Sequence, residues 1–181
     1  MYLETDRIIL RRFREEDFPA FCGYVMDADI CRMTGWEDFP SAEAVRPVFD
    51  RMVATDTTYA MVLKSTGTLV GNFSAAPLHP YLLHHPDLQG KSGRALSVVL
   101  SKECHHTGLG TEVGRAIIDH LFRLEKVDFV NAGYFSYNTP SKGLQEKLGF
   151  HFLGTHSFRR GEEEVNVIEN IIWKEEYFDP Q

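Results

Sequence analysis

The sequence has few cysteines and no surplus of basic residues, and both shortages narrow the range of functions. Only three cysteines stand among 181 residues, and no Cys-x-x-Cys pair occurs. The sequence therefore predicts no disulfide framework, and reduced, intracellular thiols are the plain expectation. There are 19 lysines and arginines against 26 aspartates and glutamates, for a net charge of −7. This balance argues against a nucleic-acid partner, which needs clustered positive charge, and favours a cationic one.

Long apolar runs are also missing. No run approaches the roughly 20 residues of a membrane span, and the N-terminal stretch MYLETDRIILRRF mixes charge into every short window, unlike a signal peptide. Hydrophobic residues nevertheless make up 43% of the chain, enough for a core. Because no repeat or composition break divides the sequence, we expect a single domain over residues 1–181, with a cytoplasmic location and no membrane partner.

Hydrophobic periodicity predicts an alternation of strands and helices. The predicted strands are 7–13, 58–64, 68–76, 94–101, 128–136, 150–160 and 165–178, and the predicted helices are 14–27, 41–55, 111–126 and 139–149. The fold class expected from this order is α/β, with a mixed central sheet of about seven strands and about four helices. Thr139 is expected to cap the last helix and Gly149 to end it.

The stretch HHTGLGTE, residues 105–112, is the strongest local signal. It lies between the apolar run ALSVVLS (95–101) and a helical pattern, and a glycine turn that leads into a helix is a common anion-binding arrangement. A Walker A loop is excluded because the lysine of that motif is missing. A Rossmann fingerprint fits poorly, because Gly114 comes one position too late and the motif lies beyond the middle of the chain.

Three motifs together resemble the GNAT superfamily of N-acetyltransferases. His105 to Gly110 resembles its Q/R-x-x-G-x-G/A pyrophosphate loop, with histidine at the Q/R position. The stretch NTPSKGLQEKLGF (138–150) resembles a second signature, an Asn and a Ser before a helix that ends in K-L-G-F. The opening LETDRIILRRFREEDFPAF (3–21) resembles the branch with ribosomal-protein N-terminal (alanine/serine) acetyltransferases and spermidine acetyltransferases.

The resemblance implies direct transfer of an acetyl group from acetyl-CoA, the co-substrate, to an amine. It implies a backbone N–H near Val99 or Leu100 as the oxyanion donor, and Ser141 or Tyr137 as the proton donor to the thiolate. Asn138 would hydrogen-bond the pantetheine arm. The cofactor-binding residues implied are Val98, Val99, Leu100, His105, His106, Thr107, Gly108, Leu109, Gly110, Thr111, Asn138 and Ser141.

The general base is left open by the sequence. Ser97 stands where an acid would be expected, and Glu103, Glu164 and Glu169 are alternatives that equally suit solvated surface positions. Proximity alone can also supply much of the rate, so a dedicated base is not required.

The long, proline-rich stretch 77–93 is expected to be a loop that shapes the acceptor site or forms a homodimer contact. Its histidines and those of the glycine turn lack the spacing of a known zinc motif, so no metal site is expected.

The acceptor is also open. A protein or peptide N-terminal α-amine is expected from the branch resemblance, and a polyamine, an amino acid or an antibiotic amine are alternatives. A catalytically silent acyl-CoA-binding module is the alternative outside the enzymes.

Overall fold

The computed structural model describes residues 2–179, and the chain forms two compact units. The first is Met1–Ser74 with Val98–Val113, and the second is Ala75–Ser97 with Gly114–Gln181. The strands are β1 Leu3–Glu4, β2 Ile8–Arg11, β3 Thr58–Leu63, β4 Thr68–Ala76, β5 Gly93–Leu100, β6 Phe129–Phe135, β7 His151–Arg160 and β8 Glu163–Trp173. The helices are α1 Phe18–Val25, α2 Ala28–Thr34, α3 Ala42–Ala54, α4 Leu109–His120, α5 Thr139–Leu148 and α6 Lys174–Phe178.

The first unit contains an antiparallel run of strands in the order β1-β2-β3-β4, and the end of β5 lies beside β4. There the Ser101 N–H donates to the Val70 carbonyl at 2.9 Å. The core of this unit contains an aromatic cluster, since Phe13, Phe21 and Phe49 are all buried and Phe13 meets each of the other two rings edge to face. Burial of these rings stabilises the unit through the hydrophobic effect and through ring–ring contacts.

The second unit contains both strand directions. The beginning of β5 runs parallel to β6, with Gly93 opposite Phe129, whereas β6, β8 and β7 are antiparallel neighbours in that order. Leu82, Leu88, Phe129 and Ile171 form a buried cluster on this unit. The expected mixed α/β fold is therefore confirmed, and the single domain over 1–181 stays a prediction.

The structure has more elements than the sequence predicted. The described residues form eight strands and six α-helices, where about seven and four were expected. One added helix is α2, whose N-cap Asp27 accepts the N–H groups of Asp29 and Ile30. Another is α6, which occupies the end of a segment predicted as strand.

One predicted helix start and one predicted helix cap are wrong. Helix α4 begins at Leu109 rather than 111, so Gly110 lies in its first turn, and a π-helical segment, Leu121–Glu125, follows it. Asn138, and not Thr139, caps α5, because its side-chain oxygen accepts the Ser141 N–H at 3.0 Å. The predicted end at Gly149 is confirmed by its left-handed backbone, with φ 88°.

The predicted loop 77–93 has short helical turns of its own. The 3₁₀ turns Pro80–His84 and Pro86–Leu88 begin after His79 and His85, whose Nδ1 atoms accept the N–H groups of Tyr81 and Asp87. No helix in residues 2–179 is both long and apolar enough to cross a bilayer.

Candidate functional site

The segment that joins β5 to α4 has two residues in the left-handed region. A 3₁₀ turn covers Lys102–Cys104, His106 then takes φ 60°, and Gly108 takes φ 82°. Glycine adopts such a backbone at no cost, whereas most residues are strained there. The reversals lead directly into α4, whose first N–H groups have no acceptor within the helix.

Side-chain donors cover three carbonyl groups of this segment. His105 Nε2 lies 3.0 Å from the Leu100 carbonyl, Thr107 Oγ1 donates to the Cys104 carbonyl at 2.7 Å, and Arg7 Nη1 donates to the Thr107 carbonyl at 3.0 Å. These three contacts offset the negative ends of the carbonyl dipoles, while the start of α4 presents N–H groups and a partial positive charge. The donor chemistry of the segment therefore fits an anion such as a pyrophosphate.

Arg7 and Glu112 stabilise the start of α4, and neither residue was predicted from the sequence. The Glu112 carboxylate accepts from Thr5 Oγ1 at 2.6 Å, from the Arg7 backbone N–H at 2.9 Å and from Arg7 Nε at 2.6 Å. Burial alone would raise the pKa of Glu112, but the hydrogen bonds from Thr5 and Arg7 outweigh it and hold that pKa below its ordinary value. Arg7 Nη2 lies 3.6 Å from where a Cβ on Gly108 would stand, so a positive charge adjoins the glycine turn.

Lys102 does not offer a free charge to the same segment. Its ammonium contacts the carboxylates of Asp27 and Asp29, each at 2.8 Å. The hydrogen bond to Asp27, followed by that to Asp29, raises the pKa of Lys102. The lysine therefore anchors the 3₁₀ turn to the N-terminus of α2.

The predicted cofactor residues divide between the two units. Val98, Val99, Leu100 and the stretch from His105 to Thr111 belong to the first unit, whereas Asn138 and Ser141 belong to the second. Val99 is buried, and Val98 and Leu100 are partly exposed. Within its own unit the structure thus brings the β5 end and the glycine turn together.

Ser141 is held by Gln145, a residue that the sequence analysis did not single out. Gln145 Nε2 donates to Ser141 Oγ at 3.2 Å and to the Gly133 carbonyl at 3.5 Å, while its Oε1 accepts from Asn170 Nδ2 at 2.9 Å. Because the serine oxygen accepts from Gln145, its own O–H stays available to donate elsewhere. Tyr137, the other predicted proton donor, packs its ring 5.5 Å from that of Phe135.

The three glutamates proposed as bases lie in different surroundings. Glu103 is exposed, and Glu164 is exposed and accepts from Ser157 Oγ at 2.8 Å. Glu169 is buried, with 5% of its surface exposed, and contacts Asn131 and His156. Residues 2–179 contain no group of three or more His, Cys, Asp or Glu side chains arranged to hold a metal.

Known structures share the fold of this chain. An acetyltransferase of the GNAT family from Bacillus anthracis superposes with a TM-score of 0.85 at 20% identity, over 97% of this chain and 99% of that one. Spermidine N-acetyltransferase from Vibrio cholerae, solved with CoA and spermine, gives 0.74 at 13% identity, over 95% and 98%. A Vibrio cholerae protein provisionally described as a ribosomal-protein-serine acetyltransferase gives 0.75 at 16% identity, over 96% and 97%.

No curated protein matches the chain significantly. The family model described as the acetyltransferase (GNAT) domain does match, over residues 7–151. The match spans the glycine turn, the braced start of α4 and the Asn-Ser signature. The protein therefore belongs to the GNAT acetyltransferases, which transfer an acetyl group from acetyl-CoA.

Proposed function

We propose that the protein acetylates a primary amine by direct attack on acetyl-CoA, and that the amine is the N-terminal α-amine of a protein or peptide. The use of acetyl-CoA as the acetyl donor is supported by the structure of the segment from Leu100 to Leu109. Its carbonyl groups are covered by His105, Thr107 and Arg7, which leaves a positive helix start for the pyrophosphate.

In this proposal the stretch from His105 to Thr111 binds the pyrophosphate mainly through backbone N–H groups. His105 stands where relatives have Gln or Arg, and its ring is directed back to the Leu100 carbonyl. Arg7 places its guanidinium beside Gly108 from another part of the chain, and because its Nε donates to Glu112 it offers the turn a hydrogen-bond donor and not an unpaired charge. Val98, Val99 and Leu100 are the residues proposed to line the pantetheine arm, and Asn138 is proposed to hydrogen-bond it.

The transfer step needs an oxyanion donor and a proton donor. A backbone N–H near Val99 or Leu100 stabilises the tetrahedral oxyanion. Ser141 then protonates the leaving thiolate, and its contact with Gln145 supports this role because that contact leaves the hydroxyl proton free to be donated. Tyr137 is the alternative donor.

The α-amine acceptor rests on the N-terminal stretch 3–21 and on the fold shared with the Vibrio cholerae protein described as a ribosomal-protein-serine acetyltransferase. A polyamine is the second candidate, favoured by the fold shared with spermidine N-acetyltransferase. The net charge of −7 suits either cation. The cytoplasmic location, the homodimer and the exclusion of nucleic acid and membrane stay predictions.

The acceptor is tested by the release of free CoA thiol with purified protein and acetyl-CoA. The substrates are a peptide with a free N-terminal serine, the same peptide with its N-terminus blocked, and spermidine. The proposal predicts the largest kcat/KM for the free peptide and none for the blocked one.

Two other results would contradict the proposed acceptor or the proposed activity. Turnover of spermidine alone would show that the protein is an acetyltransferase whose acceptor is a polyamine and not an α-amine. Acetyl-CoA binding with no turnover of any amine would identify a silent acyl-CoA-binding module.

A further inference from the structure

Glu169 is a buried carboxylate with a polar partner on each oxygen. It lies on β8, and Asn131 Nδ2, from β6, donates to its Oε2 at 2.9 Å. His156 Nε2, from β7, lies 3.0 Å from its Oε1. A carboxylate only accepts, so Nε2 carries the proton in this pair and Nδ1 carries the lone pair. Glu169 thus fixes the tautomer and the orientation of the His156 ring.

Glycines flank this carboxylate on both neighbouring strands. Gly133 of β6 and Gly154 of β7 are each directly opposite Glu169 in the strand register. A Cβ on Gly133 would stand 2.9 Å from Glu169 Oε2, so no larger residue fits there without displacing the carboxylate. Gly133 is itself exposed. Solvent therefore reaches the sheet at Gly133, beside the otherwise buried carboxylate of Glu169.

His156 is the more accessible member of the pair. Its side chain is 16% exposed, against 7% for Glu169. The groups that face it from segment 77–93 are Tyr81, whose ring centroid is 4.3 Å away, and His79, stacked at 5.9 Å. The Tyr81 hydroxyl donates to the Thr155 carbonyl at 3.0 Å, which fixes the turn beside the imidazole.

Glu169 and Gln145, which contacts Ser141, both lie beside Gly133 of β6. Gln145 of α5 connects Ser141 to the Gly133 carbonyl and to Asn170. Because successive side chains of a strand alternate, Glu169 projects to the face opposite Asn170 and α5. The proposed proton donor to the thiolate is thus on one face at Gly133, and a histidine oriented by a carboxylate is on the other.

We propose that His156, oriented by Glu169, is the general base that removes the proton of the acceptor ammonium. This inference rests on the proposed function. The ammonium proton passes to His156 Nδ1, which gives a free amine and an imidazolium that the Glu169 carboxylate stabilises. The amine lone pair then attacks the thioester carbonyl, the nitrogen loses its second proton to solvent, and the C–S bond breaks. The leaving thiolate takes the hydroxyl proton of Ser141, Ser141 regains a proton from solvent, and the imidazolium returns its proton to solvent, so that one proton is released for each amine acetylated.

The test is the pH dependence of kcat/KM for the serine peptide, in the wild type and in His156→Gln. At pH 7 the variant should be slower by roughly 6- to 11-fold, because only about one peptide amine in six to eleven is free at that pH. An α-amine loses its proton near pH 7.7 to 8.0 in solution. The deficit should therefore shrink between pH 7 and pH 9, where the free amine no longer needs a base. A structural role would give a deficit that does not depend on pH.

Glu169→Gln is the second variant, and it should show a smaller deficit with the same pH dependence. The matched control is His151→Ala, since His151 is on the same strand and has an exposed carboxylate partner, Glu176, at 3.5 Å. This control should keep the wild-type profile. The affinity for acetyl-CoA, measured by calorimetry, should be unchanged within about twofold in all three variants.

Three results would overturn the inference alone: an active His156→Gln with wild-type kcat/KM, a deficit constant from pH 7 to pH 9, or an equal deficit in His151→Ala. If His156→Gln does not fold, the same criteria apply to Glu169→Gln. A wild-type protein that acetylates no amine would overturn the proposed function, and this inference with it.

Discussion

Replacing Glu112 by glutamine should destabilise the protein by about 2–3 kcal/mol at pH 7. The carboxylate accepts from Thr5 Oγ1, from the Arg7 backbone N–H and from Arg7 Nε. Losing the charge-assisted character of the first two bonds costs about 1 kcal/mol each. The Arg7 side chain is 46% exposed, so its ion pair adds only about 0.5 kcal/mol. Urea unfolding with an unchanged m-value measures the total.

The same variant should show a defined pH dependence. The pKa of Glu112 is lowered in the folded state, so its stabilisation is complete above the ordinary glutamate pKa of about 4.3 and is lost as the pH falls through the lower folded-state value. The difference between wild type and Glu112→Gln should therefore shrink below about pH 4.

Glu146→Gln is the control for this experiment. Glu146 is an exposed helical glutamate 3.8 Å from Lys142, and its loss should cost under about 0.5 kcal/mol. A Glu112 effect as small as this at pH 7, or one that persists undiminished at pH 3, would show that the contacts of Glu112 with Thr5 and Arg7 do not stabilise the protein as proposed.

Two further substitutions test the glycine positions. Gly110→Asp should abolish acetyl-CoA binding in calorimetry, because it adds bulk and negative charge in the first turn of α4. The control Gly23→Asp, at a position with open space around it, should leave binding intact. Unchanged affinity in Gly110→Asp would contradict the assignment of the glycine turn to the pyrophosphate. Gly71→Ala should cost about 1–3 kcal/mol in urea unfolding, because its Cβ would collide with the Val99 carbonyl and stand 3.0 Å from Leu100 Cα. Gly23→Ala is the control, and equal stability of the two variants would show that β4 and the end of β5 adjust freely.

Local signals in the sequence predicted the fold class and most elements. Gly149 ends α5 as predicted, because a glycine with a left-handed backbone acts on the helix within a few positions of itself. Helix α2 escaped prediction because it has only seven residues, too few for a clear period. The start of α4 was predicted two residues too late, because two glycines close together are typical of a turn, whereas Gly110 belongs to the helix.

The residues missed around the site depend on contacts between distant parts of the chain. Arg7 and Glu112 are 105 positions apart, and Asn131 and Glu169 are 38 apart. No local pattern marks such pairs, since they meet only after the strands have paired. Glu169 was named among three glutamates, and the sequence could not separate them because burial and the glycines opposite it follow from strand register.

The most direct test of the account is a calorimetric titration of the purified protein with acetyl-CoA, with ATP and NAD as controls. We expect saturable binding of acetyl-CoA in the micromolar range, loss of that binding in Gly110→Asp, and no comparable binding of ATP or NAD. Absence of acetyl-CoA binding, or equal binding of all three compounds, would contradict it.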